Sequence, residues 1–214
     1  MKKTTDFFER RQLYAILDTG YLAGRQPSVV AAEMIRGGVD IIQVRAKDLP
    51  EKEISALVRE VLTVTRPAGV PLIVNDHPRI AGATGADGAH VGQDDISVAA
   101  ARQMAGPGSL IGKSTHSLEQ ARKAVAEGAD YIGVGPVFAT PTKPDYTPVG
   151  LELVRQVSRE ITIPFFCIGG IKLENAPTVI AAGARRIVVV SGILQAPDLT
   201  AYCQALKKNL CLSS

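Results

Sequence analysis

Short apolar runs and amphipathic stretches alternate along the whole chain. The runs fall at residues 13–18, 40–45, 71–74, 88–91, 110–114, 131–135, 164–168 and 186–190. Several are near-continuous in Val and Ile, the pattern of strands covered on both faces. Apolar positions between them recur at helical spacing. They predict a helix opening at Ser28 and closing at Gly37-Gly38, and one with Pro50 in its first turn that runs to about Thr65. Further helices are predicted over residues 78–83, over 98–104 after Ser97, from the capping residue Ser117 to Glu127-Gly128, and over 151–160, 175–182 and 198–209.

A recurring phrase joins helix to strand. Gly-Gly-Val-Asp (37–40), Gly-Ala-Asp-Gly (85–88), Gly-Ala-Asp-Tyr (128–131) and Gly-Ala-Arg-Arg (183–186) each close a helix and open a strand. Glycine supplies the left-handed stop and a small residue lets the chain turn. Eight βα units in succession predict an α/β fold, a single (β/α)8 TIM barrel with its phosphate sites at the C-terminal face. The barrel is expected over residues 13–210, with an N-terminal extension or short helix at 1–12 and a tail at 211–214. An open doubly wound sheet is the alternative. Against its dinucleotide-binding version, the first βα turn has no G-x-G-x-x-G element.

Composition narrows the setting. The 214 residues are 46% hydrophobic, enough for a sizeable core, and the net charge is only +3 with scattered basic residues. Without Trp and without a basic patch interleaved with aromatics, neither nucleic acid nor membrane is an expected partner. The first residues have no apolar segment behind their charges, and no stretch approaches roughly 18 apolar residues, so a cytoplasmic protein is expected. Cys167, Cys203 and Cys211 are odd in number and lack zinc-ligand spacing, which fits reduced thiols.

The candidate chemistry sits where strands end. In Gln43-Val44-Arg45-Ala46-Lys47, period-2 alternation puts Gln43, Arg45 and Lys47 on one side of a strand, a side that needs an anion if it faces inward. Asn75-Asp76 follows the third run, Gly92-Gln93-Asp94-Asp95 the fourth, and Ser114, Thr115 and His116 the fifth. A long loop after the sixth holds Thr140, Thr142, Lys143 and Asp145; Gly169-Gly170 and Ser191-Gly192 follow the last two. Individually these residues read as caps, turns or solvated charges; Asp95, for instance, could cap the helix after it. Together they line one end of a barrel, where active sites of this fold are built. Asp76 and Asp95 could hold one Mg2+, which prefers few carboxylates, waters and substrate phosphates. Arg45, Lys47 and Lys143 would neutralise the remaining charge. Gly169-Gly170 and Ser191-Gly192 stand where backbone N–H groups commonly hold a second phosphate. Of the histidines, His77 reads as a surface or capping residue, His90 as a hydrogen-bonded core residue, and His116 as an acid/base candidate at the mouth.

The ordered set of motifs resembles the thiamine-phosphate synthase (thiamine-phosphate pyrophosphorylase) family from residue 13 to residue 193. The pieces are Gln43-Val44-Arg45-Ala46-Lys47, Val74-Asn75-Asp76, His90-Val91-Gly92-Gln93-Asp94-Asp95, Gly112-Lys113-Ser114-Thr115-His116, the stretch from Gly135 to Lys143, and Ile168-Gly169-Gly170-Ile171. The resemblance implies a Mg2+-dependent transferase that joins a hydroxymethylpyrimidine diphosphate to a thiazole phosphate and releases pyrophosphate. It implies pyrimidine-diphosphate contacts at Gln43, Val44, Arg45, Ala46, Lys47, Asn75, Ser114 and Lys143, and a thiazole-phosphate site at Thr140, Pro141, Thr142, Gly170, Val190 and Ser191. Asp76 and Asp95 are the implied metal ligands, and Arg45, Lys47, Ser114 and Lys143 the implied catalytic set. The partners are then small phosphorylated heterocycles, and a homodimer is compatible. Lys113, often apolar in the family, and Gly192, commonly Ala, depart from its pattern.

Two other readings share these residues. A thiazole tautomerase of the same fold would use His116 in Ser114-Thr115-His116-Ser117 without metal, but would tend to lack the Asn-Asp and Gln-x-Asp pieces kept here. A non-catalytic binder of thiamine-pathway phosphates would have no need of a metal pair.

Overall fold

The computed structural model describes residues 7–140 and 147–211. Eight parallel strands close into one barrel in chain order. They are β1 (Leu13–Asp18), β2 (Ile41–Arg45), β3 (Leu72–Asn75), β4 (Gly88–Val91), β5 (Leu110–Thr115), β6 (Tyr131–Val134), β7 (Phe165–Cys167) and β8 (Ile187–Val189). Closure between β8 and β1 pairs Leu13 with Ile187 and Ala15 with Val189, which rules out the open sheet.

The main helices are α1 (Pro27–Arg36), α2 (Glu51–Thr65), α3 (Pro78–Thr84), α4 (Val98–Ala105), α5 (Leu118–Ala126), α6 (Gly150–Glu160), α7 (Ala176–Ala181), α8 (Ser191–Leu194) and α9 (Leu199–Cys211). Two helix starts carry the serine caps expected of them. Ser97 accepts from the Ala100 N–H at 3.2 Å and Ser117 from Gln120 at 3.1 Å, so Ser97, not Asp95, caps α4. The four-residue α8 follows the eighth run at Ser191-Gly192, where one turn is too short to show a helical period in the sequence.

Strand alternation divides the core in two. Leu13, Ala15 and Leu17 of β1 join the large outer core under the helices, while Tyr14 and Ile16 point into the barrel. The inner core is small: Tyr14, Ile16, Ile41, Ile73, Tyr131, Phe166 and Val188, closed below by Phe8. Phe8 packs its ring 5.2 Å from Tyr131 and 5.7 Å from Phe166, and Arg186 holds the Phe8 carbonyl at 3.0 Å. The interior is thus filled at the strand N-termini and open above them.

The repeated Gly-x-x-Asp and Gly-x-Asp phrases do more than turn the chain. Asp40, before β2, accepts the Gln12 and Leu13 N–H groups through one carboxylate oxygen, each at 2.8 Å, and returns its own N–H to the Leu13 carbonyl. Asp87 does the same for Leu72 and Asp130 for Ile111. Each carboxylate satisfies a backbone donor within the first two residues of the preceding strand, where a strand start would otherwise leave it unpaired. Lys207 of α9 also reaches Asp40 and ties the last helix to this joint. Asp40→Ala therefore should cost about 2–3 kcal/mol in urea unfolding, since it strands partly buried donors. A loss below about 0.5 kcal/mol, the level of an ordinary surface substitution, would contradict the role given to this carboxylate.

Candidate active site

The open upper half of the barrel is a cavity of about 210 Å³. Its floor is aromatic and aliphatic, from Tyr14, Tyr131, Phe166, Ile16 and Val188. A hydrogen-bonded chain crosses this apolar room. Gln43 donates to the Tyr14 hydroxyl at 2.7 Å, which lies 3.1 Å from that of Tyr131. The Tyr131 hydroxyl is 3.3 Å from His90 Nδ1, and His90 Nε2 is 2.9 Å from Ser114 Oγ. Burial pushes both phenols far above their ordinary range, so they stay protonated. One assignment satisfies every member: each hydroxyl passes its proton along the chain, His90 accepts at Nδ1 and donates from Nε2, and Ser114 keeps its own proton at the cavity wall. Gly112 makes room for this. A Cβ there would lie 2.2 Å from the Tyr131 ring and 2.4 Å from His90 Nδ1.

The mouth carries the charges. Arg45 pairs with Asp18 at the end of β1, and both are largely buried. Asp18 also accepts the Gly20 N–H at 3.0 Å, which fixes the carboxylate. The anion expected for the inward face of β2 is thus in part a residue of the chain, and the fixed pair holds the guanidinium at the cavity wall. Gln43 and Asn75 line the cavity as well, while Lys47 stands exposed outside it. Val44 and Ala46 turn into the outer core, so only their backbone is open to a ligand.

Asp76 and Asp95, at the ends of β3 and β4, are within hydrogen-bonding reach of one another. Asp76 is held at φ +59°, a left-handed conformation that Asp and Asn tolerate better than most residues. Burial first, then the Asp95 charge and a shared hydrogen bond, raise the Asp76 carboxyl above its ordinary value; Lys47 and Asn75 oppose this. Desolvation acts on Asp95 too, but the Gly92 N–H at 2.6 Å, Asp76, Lys113 and Lys47 outweigh it and hold that carboxyl low. Two facing carboxylates share a proton or a cation. No cluster of three or more His, Cys, Asp or Glu side chains occurs among the described residues, so a cation here would take two protein oxygens and fill its shell from water and ligand. That donor set fits Mg2+.

The far wall brings together Thr140, Gly170, Val190 and Ser191. Gly170 has φ +62°, and a Cβ on it would sit 2.5 Å from the Ala139 carbonyl, so glycine is required for its backbone alone. α8 opens at Ser191; its Ile193 and Leu194 N–H groups already bond the Val190 carbonyl, at 3.1 and 3.0 Å, so within that turn only those of Ser191 and Gly192 lack a helical acceptor. Pro141, Thr142 and Lys143 lie outside the described residues. His116 lines the cavity with Nδ1 against the Gly135 carbonyl, and its backbone N–H is held by Gln120 at 2.7 Å. Cys167 and Cys203 are buried, and burial pushes both thiols up to about 12, so neither is a nucleophile.

The family model described as thiamine monophosphate synthase matches residues 13–193. The chain belongs to the thiamine monophosphate synthase family. It is 45% identical to the thiamine-phosphate synthase of Chloroflexus aurantiacus over 92% of this chain and 91% of the relative. It is 45% identical to that of Halalkalibacterium halodurans over 93% and 95%. The solved thiamine phosphate pyrophosphorylase of Pyrococcus furiosus superposes with a TM-score of 0.87 at 32% identity, covering 95% of this chain and 96% of that one. The activity is accordingly that of a thiamine-phosphate synthase. Among the described residues no helix is long and apolar enough to cross a membrane.

Within this synthase site, sequence reasoning missed Asp18, Tyr14, Tyr131 and Gly112. It placed His90 in a hydrogen-bonded core without seeing that this core is the cavity wall. The inward parity of Tyr14 with Gln43, and of His90 with Ser114, was the available signal, since paired strands put these residues on one face.

Two outcomes follow from the geometry. Tyr14→Phe removes the acceptor of buried Gln43 and should cost about 1–3 kcal/mol in chemical unfolding. The raised Asp76 carboxyl means the fold takes up a proton there more readily than the unfolded chain, so ionisation destabilises the fold as pH rises through the raised value. Metal-free Asp76→Asn should therefore melt above wild type at about pH 8, and the gap should close toward about pH 4. A variant that melts below wild type at the higher pH would contradict the repulsion.

Proposed function

We propose that the cavity binds a pyrimidine ring while the carboxylate pair at its mouth serves the diphosphate that leaves from it. The observation that carries this is the adjacency of an aromatic-floored pocket, crossed by a polar chain, to two carboxylates within hydrogen-bonding reach of one another. A flat heterocycle with polar edges suits the first, and a metal-bound polyphosphate the second.

In this reading the ring stacks against the aromatic floor and takes hydrogen bonds from Ser114 and Asn75. Arg45, held by Asp18, faces the diphosphate, with Lys47 and, as the sequence suggests, Lys143. Asp76 and Asp95 would hold Mg2+, which when bound supplies positive charge to the departing pyrophosphate. The C–O bond to pyrophosphate breaks and leaves a methylene cation stabilised by the pyrimidine. The thiazole nitrogen then attacks that carbon, forming the C–N bond of thiamine phosphate. The thiazole phosphate rests on the backbone at Gly170, Val190 and Ser191 with Thr140 and, as the sequence suggests, Thr142. Such a path asks the protein for charge stabilisation and exclusion of water more than for proton transfer. It gives His116 a structural task, against the Gly135 carbonyl.

Mixing the protein with both phosphorylated heterocycles and measuring pyrophosphate release tests this. Release should require Mg2+ and fall by about 100-fold or more in Asp76→Asn. Binding without release would favour a non-catalytic binder. Thiazole isomerisation that is independent of Mg2+ and lost in His116→Ala would favour a tautomerase.

A further inference from the structure

Lys113 stands on the opposite face of β5 from Gly112 and Ser114, outside the barrel interior, and is not among the residues that line the cavity beside Ser114. It is nonetheless buried, with 6% of its surface exposed. A lysine in that position needs a strong partner. Its ammonium donates to the Gly92 carbonyl at 2.7 Å. Gly92 in turn gives its N–H to Asp95 at 2.6 Å, so one residue is held through the peptide on each side of it, at its carbonyl by Lys113 and at its N–H by the carboxylate. The next residue, Gln93, reaches the backbone carbonyl of Ser114. Two adjacent residues of β5 thus hold two adjacent residues of the loop that carries Asp95.

Behind this loop lies a polar cavity of about 180 Å³, bordered by Lys113, Asp95, Gln120, Lys123 and Glu127. The loop is not backed by close-packed apolar side chains on that side. Its position rests on the hydrogen bonds that span the gap, of which the Lys113 contact is the charged one and so the strongest of its kind.

We infer that Lys113 is a positioning residue that presets Asp95 for its cation from behind the barrel wall. This rests on the reading of Asp76 and Asp95 as a metal pair. The ammonium also adds positive charge near the cation, which would weaken binding; the geometry favours positioning because the contact fixes Gly92, the residue whose N–H holds Asp95. Outer partners that orient a metal ligand commonly matter by about 10–100-fold in affinity.

Calorimetric Mg2+ titration of wild type, Lys113→Met, Lys113→Arg and Asp76→Asn tests the inference, with thermal melts of each protein free of metal. Lys113→Met should bind Mg2+ about 10-fold more weakly, and Lys113→Arg within about 3-fold of wild type. An unchanged or tighter Mg2+ constant in Lys113→Met overturns the inference, even if the melt falls, because a merely structural lysine would lower stability alone. Should Lys113→Met fail to fold, Lys113→Gln, which keeps a donor without charge, is read instead. Loss of binding beyond about 3-fold then shows that the charged contact is what positions the loop, and an unchanged constant overturns the charged role. If wild type itself binds no Mg2+, or Asp76→Asn binds equally well, the metal pair fails and this inference with it.

Discussion

Two carboxylates in contact at a protein surface repel one another unless a proton or a cation lies between them. Asp76 and Asp95 accept that cost because the barrel leaves them no choice. β3 and β4 pair side by side, with Asn75 opposite His90, so the residues that follow them emerge together. The Gly92 N–H and Lys113 then fix one carboxylate, and the left-handed turn at Asp76 fixes the other. An arrangement that weakens the isolated fold is one that the proposed cation would relieve, the usual exchange of stability for function at a site.

The cavity beside this pair follows from the uneven filling of the barrel. Large inner side chains gather near the strand N-termini, where Phe8 closes the floor, and glycines at 112 and 133 thin the wall above. The polar groups needed to orient a ligand would be costly alone in so apolar a space. They are affordable because each is bonded to the next, from Gln43 to Ser114. In the proposed reading, position of the ring and charge at the mouth are therefore supplied by different layers of one structure.

Much of this was legible in the chain. Near-continuous Val and Ile runs separated by capped helices mark the eight strands almost residue for residue, because parallel strands buried on both faces leave a plain signal. Polar residues at the strand ends marked the mouth for the same reason. The Asp18–Arg45 pair was not legible, since it joins residues far apart in sequence through strand register. Nor was the Tyr14–Tyr131 contact across the barrel, or the second use of the Gly-x-Asp turns, whose carboxylates reach back to the preceding strand. The α8 turn was too short to read, and its place beside Gly170 is a property of the closed barrel.

The central claim is that a cation between Asp76 and Asp95 meets a diphosphate whose ring lies in the barrel. A crystal grown with Mn2+ and an unreactive pyrimidine diphosphate analogue tests it most directly. The account predicts anomalous density between the two carboxylates, phosphate oxygens turned toward it and Arg45, and the ring on the aromatic floor beside Ser114. Manganese bound elsewhere, or a ring lying outside the cavity while the two carboxylates stay in mutual contact, would contradict it.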